Sequence, residues 1–172
     1  MANQLVSPVL LSPAFDPTTV PKDRHPPFVK YQGIWDTGAT GSVITQKVVS
    51  QLKLKPTGMA NVHGAHGVRT VNTHLVNIVL PSEVGIPGVR VTEGDLPAPT
   101  DVLIGMDIIG QGDFAVTNFK ERTVFSFRTP SLEVIDFETK AVPDNLPIPL
   151  NGPCPCNSGR KYKSCCGRAR RR

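Results

Sequence analysis

Proline placement limits this chain more than any other feature of its sequence. Six prolines fall in the first 27 residues, at Pro8, Pro13, Pro17, Pro21, Pro26 and Pro27, and five more follow at Pro143, Pro147, Pro149, Pro153 and Pro155. Each locks its own φ and removes a backbone donor, so neither stretch can hold a long helix. The first reads as an extended arm over residues 1–27 and the second as a stiff linker over residues 141–153. Between them, from residue 28 to about residue 137, short apolar runs alternate with glycine-bearing turns, the pattern of a strand-rich domain. A chain of 172 residues has room for one such domain, placed at residues 28–140, and a small appendage at residues 154–172.

Few elements stand out inside the domain. Residues 46–54 carry Val48, Val49 and Leu52 at helical spacing with Pro56 just beyond, which predicts a short helix. Residues 70–80 alternate well enough for a strand ended by Pro81. Residues 114–118 and 123–127 flank a polar turn and predict a hairpin.

Charge and cysteine divide the chain at the same place. All 14 acidic residues and 12 of the 19 basic ones precede Cys154, which leaves a net −2 on residues 1–153 and +7 on the rest. All four cysteines, Cys154, Cys156, Cys165 and Cys166, lie in the basic tail. The first eight residues lack a basic start and a long apolar run, so no secretory signal is expected. The best apolar stretch, residues 102–109, is interrupted by Asp107 and is too short to span a membrane. A cytoplasmic location is therefore expected, and clustered thiols there read as metal ligands sooner than as a disulfide framework.

The most informative stretch is Gly33-Ile34-Trp35-Asp36-Thr37-Gly38-Ala39-Thr40-Gly41-Ser42-Val43-Ile44. An acid at the end of one apolar strand, followed by Thr-Gly and a second apolar strand, sets a carboxylate in a tight turn among apolar neighbours. Sixty-five residues on comes Asp101-Val102-Leu103-Ile104-Gly105-Met106-Asp107. The pair resembles the retropepsin-like aspartic proteases, single-domain relatives of retroviral proteases that include bacterial members. That family joins a hydrophobic-hydrophobic-Asp-Thr-Gly-Ala motif to a later hydrophobic-hydrophobic-Gly motif followed by a short helix. The resemblance implies an all-β, single-lobe acid-protease barrel with one short helix after the catalytic strand and one after the hydrophobic-Gly motif.

Hydrolysis of an amide by carboxylates needs two acids that share one proton, one to activate water and one to protonate the carbonyl oxygen. This chain offers a single Asp-Thr-Gly, so Asp36 must meet Asp36 of a second copy across a two-fold axis. On the resemblance, the active form is a homodimer acting on a peptide or protein substrate, with no metal in catalysis. Thr37 would join the two loops through its hydroxyl, Gly38 would let the backbone approach water and substrate, and Ala39 completes the motif. Leu103 and Ile104 would pack beneath the loop, and Gly105 would permit a close approach of two backbones. Asp107 is expected to cap the following helix or face solvent, not to serve as a second catalytic acid.

Residues 58–69 fall where the family has its flap, and Val62, His63, Gly64, Ala65, His66 and Gly67 are expected to form its substrate-binding tip. Glycines there give a lid its freedom to close. His63 and His66, without further ligands, read as loop histidines with no catalytic role. Trp35, Val62 and Val68 are candidate neighbours of the substrate.

The tail has the spacing Cys-x-Cys, eight residues, Cys-Cys. Four thiolates satisfy tetrahedral zinc with no open position, the mark of a structural site. Cys154-Pro155-Cys156, then Asn157-Ser158-Gly159-Arg160-Lys161-Tyr162-Lys163, then Cys165-Cys166-Gly167 closely resembles the SEC-C motif known from the C-terminus of the translocation ATPase SecA. So short a segment has no apolar core of its own, so bound Zn²⁺ would supply its folding free energy. In SecA the motif docks a chaperone and the ribosome. With Arg160, Lys161, Lys163, Arg168 and Arg170 to Arg172, a ribosome, chaperone or nucleic-acid contact is implied here too. Two functions are consistent with these readings: a bacterial aspartic endopeptidase with a zinc-stabilised docking tail, or a catalytically silent dimeric peptide-binding module whose tail docks ribosome, chaperone or RNA. The intact Asp36-Thr37-Gly38 favours the enzyme.

Overall fold

The computed structural model describes residues 2–64, 67–136, 149–154 and 159–169. The chain forms two compact units, Met1–Leu132 and Glu133–Arg172.

In the first unit, seven strands form one sheet: β1 (Val6–Pro13), β2 (Val29–Trp35), β3 (Val43–Ile44), β4 (Gly58–Gly64), β5 (Gly67–Val79), β6 (Gly85–Glu93) and β7 (Val102–Ile104). Their spatial order is β1-β2-β7-β3-β6-β5-β4, and β1 pairs with β5 as well, which closes the sheet on itself. A second sheet is the hairpin of β8 (Asp113–Phe119) and β9 (Arg122–Arg128). The helices are short: α1 (Gln46–Gln51) follows β3, and α2 (Met106–Ile109) follows Gly105. This is the all-β, retropepsin-like architecture the motifs imply.

The arm expected at residues 1–27 is extended, but it is not separate from the body. β1 runs antiparallel to β2, from Val6 opposite Ile34 to Leu11 opposite Val29, and then antiparallel to β5, from Leu10 opposite Val79 to Pro13 opposite Val76. Its burial alternates, so Val9 and Leu11 enter the core at 1% and 0% exposure while Pro8 and Leu10 face out. The packed body therefore begins at Val6 and not at residue 28. The core is filled by Val9, Leu11, Ile44, Ile78, Val91, Val102, Ile104 and Ile108, drawn from both sides of the closed sheet and from α2. Burial of each such side chain stabilises by about 1.5–3 kcal/mol.

Other elements differ from expectation in extent. α1 stops at Gln51, short of residue 54, because Lys53 turns into the left-handed region at φ 50°. The hairpin turn is made by Lys120 and Glu121 alone, with φ 49° and 62°, the two-residue primed turn whose twist matches its strands. β5 is long, and its first residues, 67–70, are exposed opposite β4, so the β4–β5 hairpin projects from the body.

Trp35 belongs to the interior. It is 6% exposed, its Nε1 donates to Ser7 Oγ at 2.9 Å, and it stacks on Phe114 with ring centroids 5.5 Å apart and contacts Phe125 and Phe127. The expectation that it neighbours the substrate gives way to a packing role: it fastens the β8–β9 hairpin to β2. Among the described residues, no helix is long and apolar enough to cross a membrane.

Candidate functional site

Asp36 follows directly on β2, and β7 lies between β2 and β3, parallel to the first and antiparallel to the second. The loop from Asp36 to Ser42 therefore leaves one neighbour of β7 and returns on the other. It is held down by main-chain bonds: Asp36 N donates to Ile104 O at 3.0 Å, Met106 N to Ala39 O at 2.8 Å, and Asp107 N to Thr40 O at 3.2 Å. Ile104, fully buried, and the half-buried Leu103 lie in the strand beneath.

Gly105 stands where a side chain has no space. A Cβ there would lie 2.7 Å from the carbonyl carbon and oxygen of Gly41 and 3.0 Å from Ala39 O. These are backbone atoms and cannot rotate away, so the motif's glycine is fixed by the approach of two chains.

The Asp36 carboxylate is half-buried, and its Oδ1 accepts a hydrogen bond from Gly38 N at 2.8 Å. Thr37 and Gly38 are exposed. In one copy of the chain the acid thus sits at the rim of the body, not in the enclosed apolar setting that the flanking strands suggest. An apolar hollow lined by Val6, Trp35, Leu80, Phe125 and Phe127 lies elsewhere and does not include Asp36.

Asp107 has a role that the sequence reading missed. Its Oδ2 accepts from Ser42 N at 3.0 Å, and its Oδ1 accepts from Ser42 Oγ at 2.8 Å and from Ile108 N at 3.1 Å. Ser42 Oγ in turn accepts from Gly105 N at 3.1 Å. The acid accepts from the next amide of its own helix, but the N-cap position is Gly105 and no side chain caps α2. Its main work, however, is to tie the far end of the Asp36 loop to α2. Ser42, 1% exposed, was the available signal: a hydroxyl buried between two glycine-bearing motifs must have a partner.

The β4–β5 hairpin places Val62 opposite Arg69 and His63 opposite Val68. Val62 is half-buried, while His63 and Val68 are exposed. Gly64 pairs with Gly67, whose φ is 102°, a left-handed conformation suited to a glycine at a turn. Ala65 and His66, expected at the flap tip, lie outside the described residues.

In the second unit, Cys154, Cys165 and Cys166 bring their sulfur atoms within 4.8 Å of one another. Cys165 and Cys166 Sγ are 4.0 Å apart. That is about twice a disulfide bond, and it is close to the roughly 3.8 Å edge of a tetrahedron of thiolates around Zn²⁺. The donor set therefore fits a metal. Cys156, the fourth expected ligand, lies outside the described residues. The cysteines are brought together by Cys154 N donating to Arg160 O at 2.8 Å and Tyr162 N to Gly152 O at 2.9 Å. Tyr162 is buried, and a Cβ on Gly167 would lie 3.0 Å from its ring.

Comparison with known proteins agrees with this division. Residues 29–111 match the family model described as "gag-polyprotein putative aspartyl protease", and residues 151–168 match the SEC-C motif. The protein translocase subunit SecA of Campylobacter curvus is 68% identical over 22 residues, which are 13% of this chain and 2% of SecA. SecA of Pelotomaculum thermopropionicum is 84% identical over 19 residues, again 2% of its length. Among solved structures, the EIAV protease complexed with the inhibitor HBY-793 is 20% identical, with a TM-score of 0.47 over 63% of this chain and 86% of that one. A retropepsin-like aspartic protease from Rickettsia conorii is 17% identical, with a TM-score of 0.38 over 68% and 90%. The chain thus resembles the aspartyl proteases of that family over residues 29–111 and matches the SEC-C motif over residues 151–168.

Proposed function

We propose that the protein is an aspartic endopeptidase whose active form is a homodimer. The observation that supports it most is the Asp36 loop: a single acid at the rim of the body, backed by main-chain bonds to residues 104–107 and flanked by exposed Thr37 and Gly38. A second copy across a two-fold axis supplies the other carboxylate and covers the rim. Two carboxylates so close hold one proton between them. The ionised one takes a proton from water as it attacks the scissile carbonyl, and the protonated one donates to the carbonyl oxygen, with no covalent intermediate. Thr37, Gly38 and Ala39 keep the paired loops in register, and Leu103, Ile104 and Gly105 support them from below. The β4–β5 hairpin, with Val62, His63, Gly64, Ala65, His66 and Gly67 at its end, closes over an extended peptide as an added strand.

The tail, on this reading, is a structural Zn²⁺ site formed by Cys154, Cys156, Cys165 and Cys166, which supplies folding energy to a segment without a core. Its basic residues, Arg160, Lys161, Lys163 and Arg168 among them, direct the peptidase to a polyanionic or chaperone partner. A cytoplasmic, bacterial setting fits reduced zinc thiolates. The domain scheme is then a peptidase body to about residue 140, a proline-rich linker at 141–153 and the SEC-C tail at 154–172.

Cleavage of a peptide library by the purified protein and by Asp36→Asn tests the reading, with sedimentation of both. Cleavage that disappears in the variant, from a protein that sediments as a dimer, is expected. Equal activity in the two would sink the peptidase assignment, and a protein that binds peptides without cutting them would be the silent module instead.

A further inference from the structure

His74 is fully buried on β5, in a row whose next inward residues are Val76 and Ile78. A polar ring at such a position must satisfy both nitrogens. Nδ1 lies 3.1 Å from Lys55 O, and Nε2 lies 2.7 Å from Glu93 Oε1. A backbone carbonyl only accepts, so Nδ1 carries a hydrogen. The contact at Nε2 then needs a second proton, on the ring or on the carboxyl group, because two lone pairs facing each other make no bond. The pair therefore holds one proton more than a neutral imidazole beside a carboxylate.

The three groups come from three places: Lys55 from the connection between α1 and β4, His74 from β5, and Glu93 from the end of β6. Glu93 Oε1 also accepts from Asn72 Nδ2 at 3.2 Å, and Thr57 donates to Thr73 O through both its amide, at 2.7 Å, and its hydroxyl, at 3.1 Å. Together they fasten the root of the β4–β5 hairpin to the body.

We propose that the proton shared by His74 and Glu93 is a pH-dependent pin at the root of this hairpin, fastened while the proton is held and loosened when it is lost to solvent. After its loss, one ring nitrogen faces an acceptor with no hydrogen between them, Glu93 Oε1 or Lys55 O according to the tautomer, where the ring is out of reach of water, and either way one of the two contacts that fasten the hairpin root is lost. Charged groups on the surrounding elements are placed otherwise: Lys47 on α1 bonds Asp101 at 3.0 Å, Arg69 on β5 pairs with Asp95 at 3.4 Å, and the side chains of Lys55 and Arg90 are exposed. Glu93 is the charged group in contact with the ring. The consequence for a flap rests on the peptidase reading above, whereas the pin itself does not.

The test is amide hydrogen exchange of residues 58–64 and 67–76 in the full chain carrying Asp36→Asn, so that no self-cleavage intervenes, from pH 5.5 to 8.5 and corrected for the intrinsic rate. Opening of the hairpin root is expected to rise with pH by up to about tenfold per pH unit, the limit for the release of one proton. Adding Glu93→Gln is expected to flatten that rise, because an amide N–H can donate to a neutral Nε2. Parallel pH profiles with and without Glu93→Gln would overturn the proposal. Should Glu93→Gln fail to fold, ¹⁵N and ¹³C spectra of the His74 ring and the Glu93 carboxyl decide: a proton lost from the pair in step with hairpin opening supports the pin, and a neutral ring beside an ionised carboxyl throughout the range overturns it. Absence of cleavage by the unsubstituted protein would count against the peptidase alone.

Discussion

Replacing Asp107 by alanine removes the acceptor of three hydrogen bonds, from Ser42 N, Ser42 Oγ and Ile108 N, at 3.0, 2.8 and 3.1 Å. A bond to an ionised acceptor contributes about 1.5–3 kcal/mol when well buried. Asp107 is half-buried, and water takes over part of its work, so we assign about 1 kcal/mol per bond and about 3 kcal/mol to Asp107→Ala. Asp107→Asn keeps one oxygen acceptor and the side-chain shape, and we expect a loss of about 1 kcal/mol. In a domain of this size the melting temperature falls by about 3–4 °C per kcal/mol, so the two variants separate by several degrees in a thermal or urea melt. Peptide cleavage, measured well below either transition, is expected to persist in Asp107→Asn and to vanish in Asp36→Asn. An alanine variant as stable as the parent would refute the clamp. A folded Asp107→Asn as inactive as Asp36→Asn would place the acid in the chemistry and refute the division of roles.

Gly105→Ala puts a methyl group 2.7 Å from Gly41 backbone, and an overpacking loss of about 1–3 kcal/mol is expected in denaturant melts, together with loss of cleavage as the loop lifts. Asp113 accepts from Leu132 N, Ser131 Oγ and Arg128 Nε, which hold its carboxyl far below the usual range. A depressed carboxyl contributes stability above its ordinary titration near pH 4 and loses it on acidification, so Asp113→Asn is expected to lessen the fall in stability below pH 4. Chelation of metal from the full chain is expected to expose Tyr162 and to make its neighbouring amides exchange freely while the Trp35 fluorescence of the body stays unchanged; a tail that keeps its protection would refute metal-driven folding.

The motifs made the site legible because each of its constraints is local. Asp36 must end a strand, and Gly105 must be small where chains touch, and both demands are written in adjacent residues. The N-terminal strand was harder to read. Prolines told correctly that residues 6–13 are extended, but its pairing with β2 and β5 depends on partners about 25 and 65 residues away. The alternation of Val9 and Leu11 with Pro8 and Leu10 was the available hint, masked by proline's reputation as a residue of arms and linkers. Trp35 was misplaced for a related reason. Sequence puts it beside Asp36, whereas alternation in a strand turns it to the opposite face, where Phe114, Phe125 and Phe127 arrive from a distant hairpin. His74 gave no signal, since a histidine among strand residues carries no mark of burial until Lys55 and Glu93 are seen to converge on it.

Closure of the sheet through β1 sets a limit on maturation by cleavage. Leu5 O accepts from Trp35 N at 2.8 Å, and every residue from Val6 to Pro13 is opposite a partner in β2 or β5. A cut upstream of Leu5 spares all of that pairing. A cut just after Pro13 would free the strand and leave the edge of β2, which leads into Asp36, open to pairing with foreign chains. If the chain is a peptidase, as proposed above, cleavage before Leu5 leaves the sheet whole whereas cleavage within or just after β1 does not, and the two prolines within β1, poor partners for any strand that would pry it loose, stand at the place to be guarded.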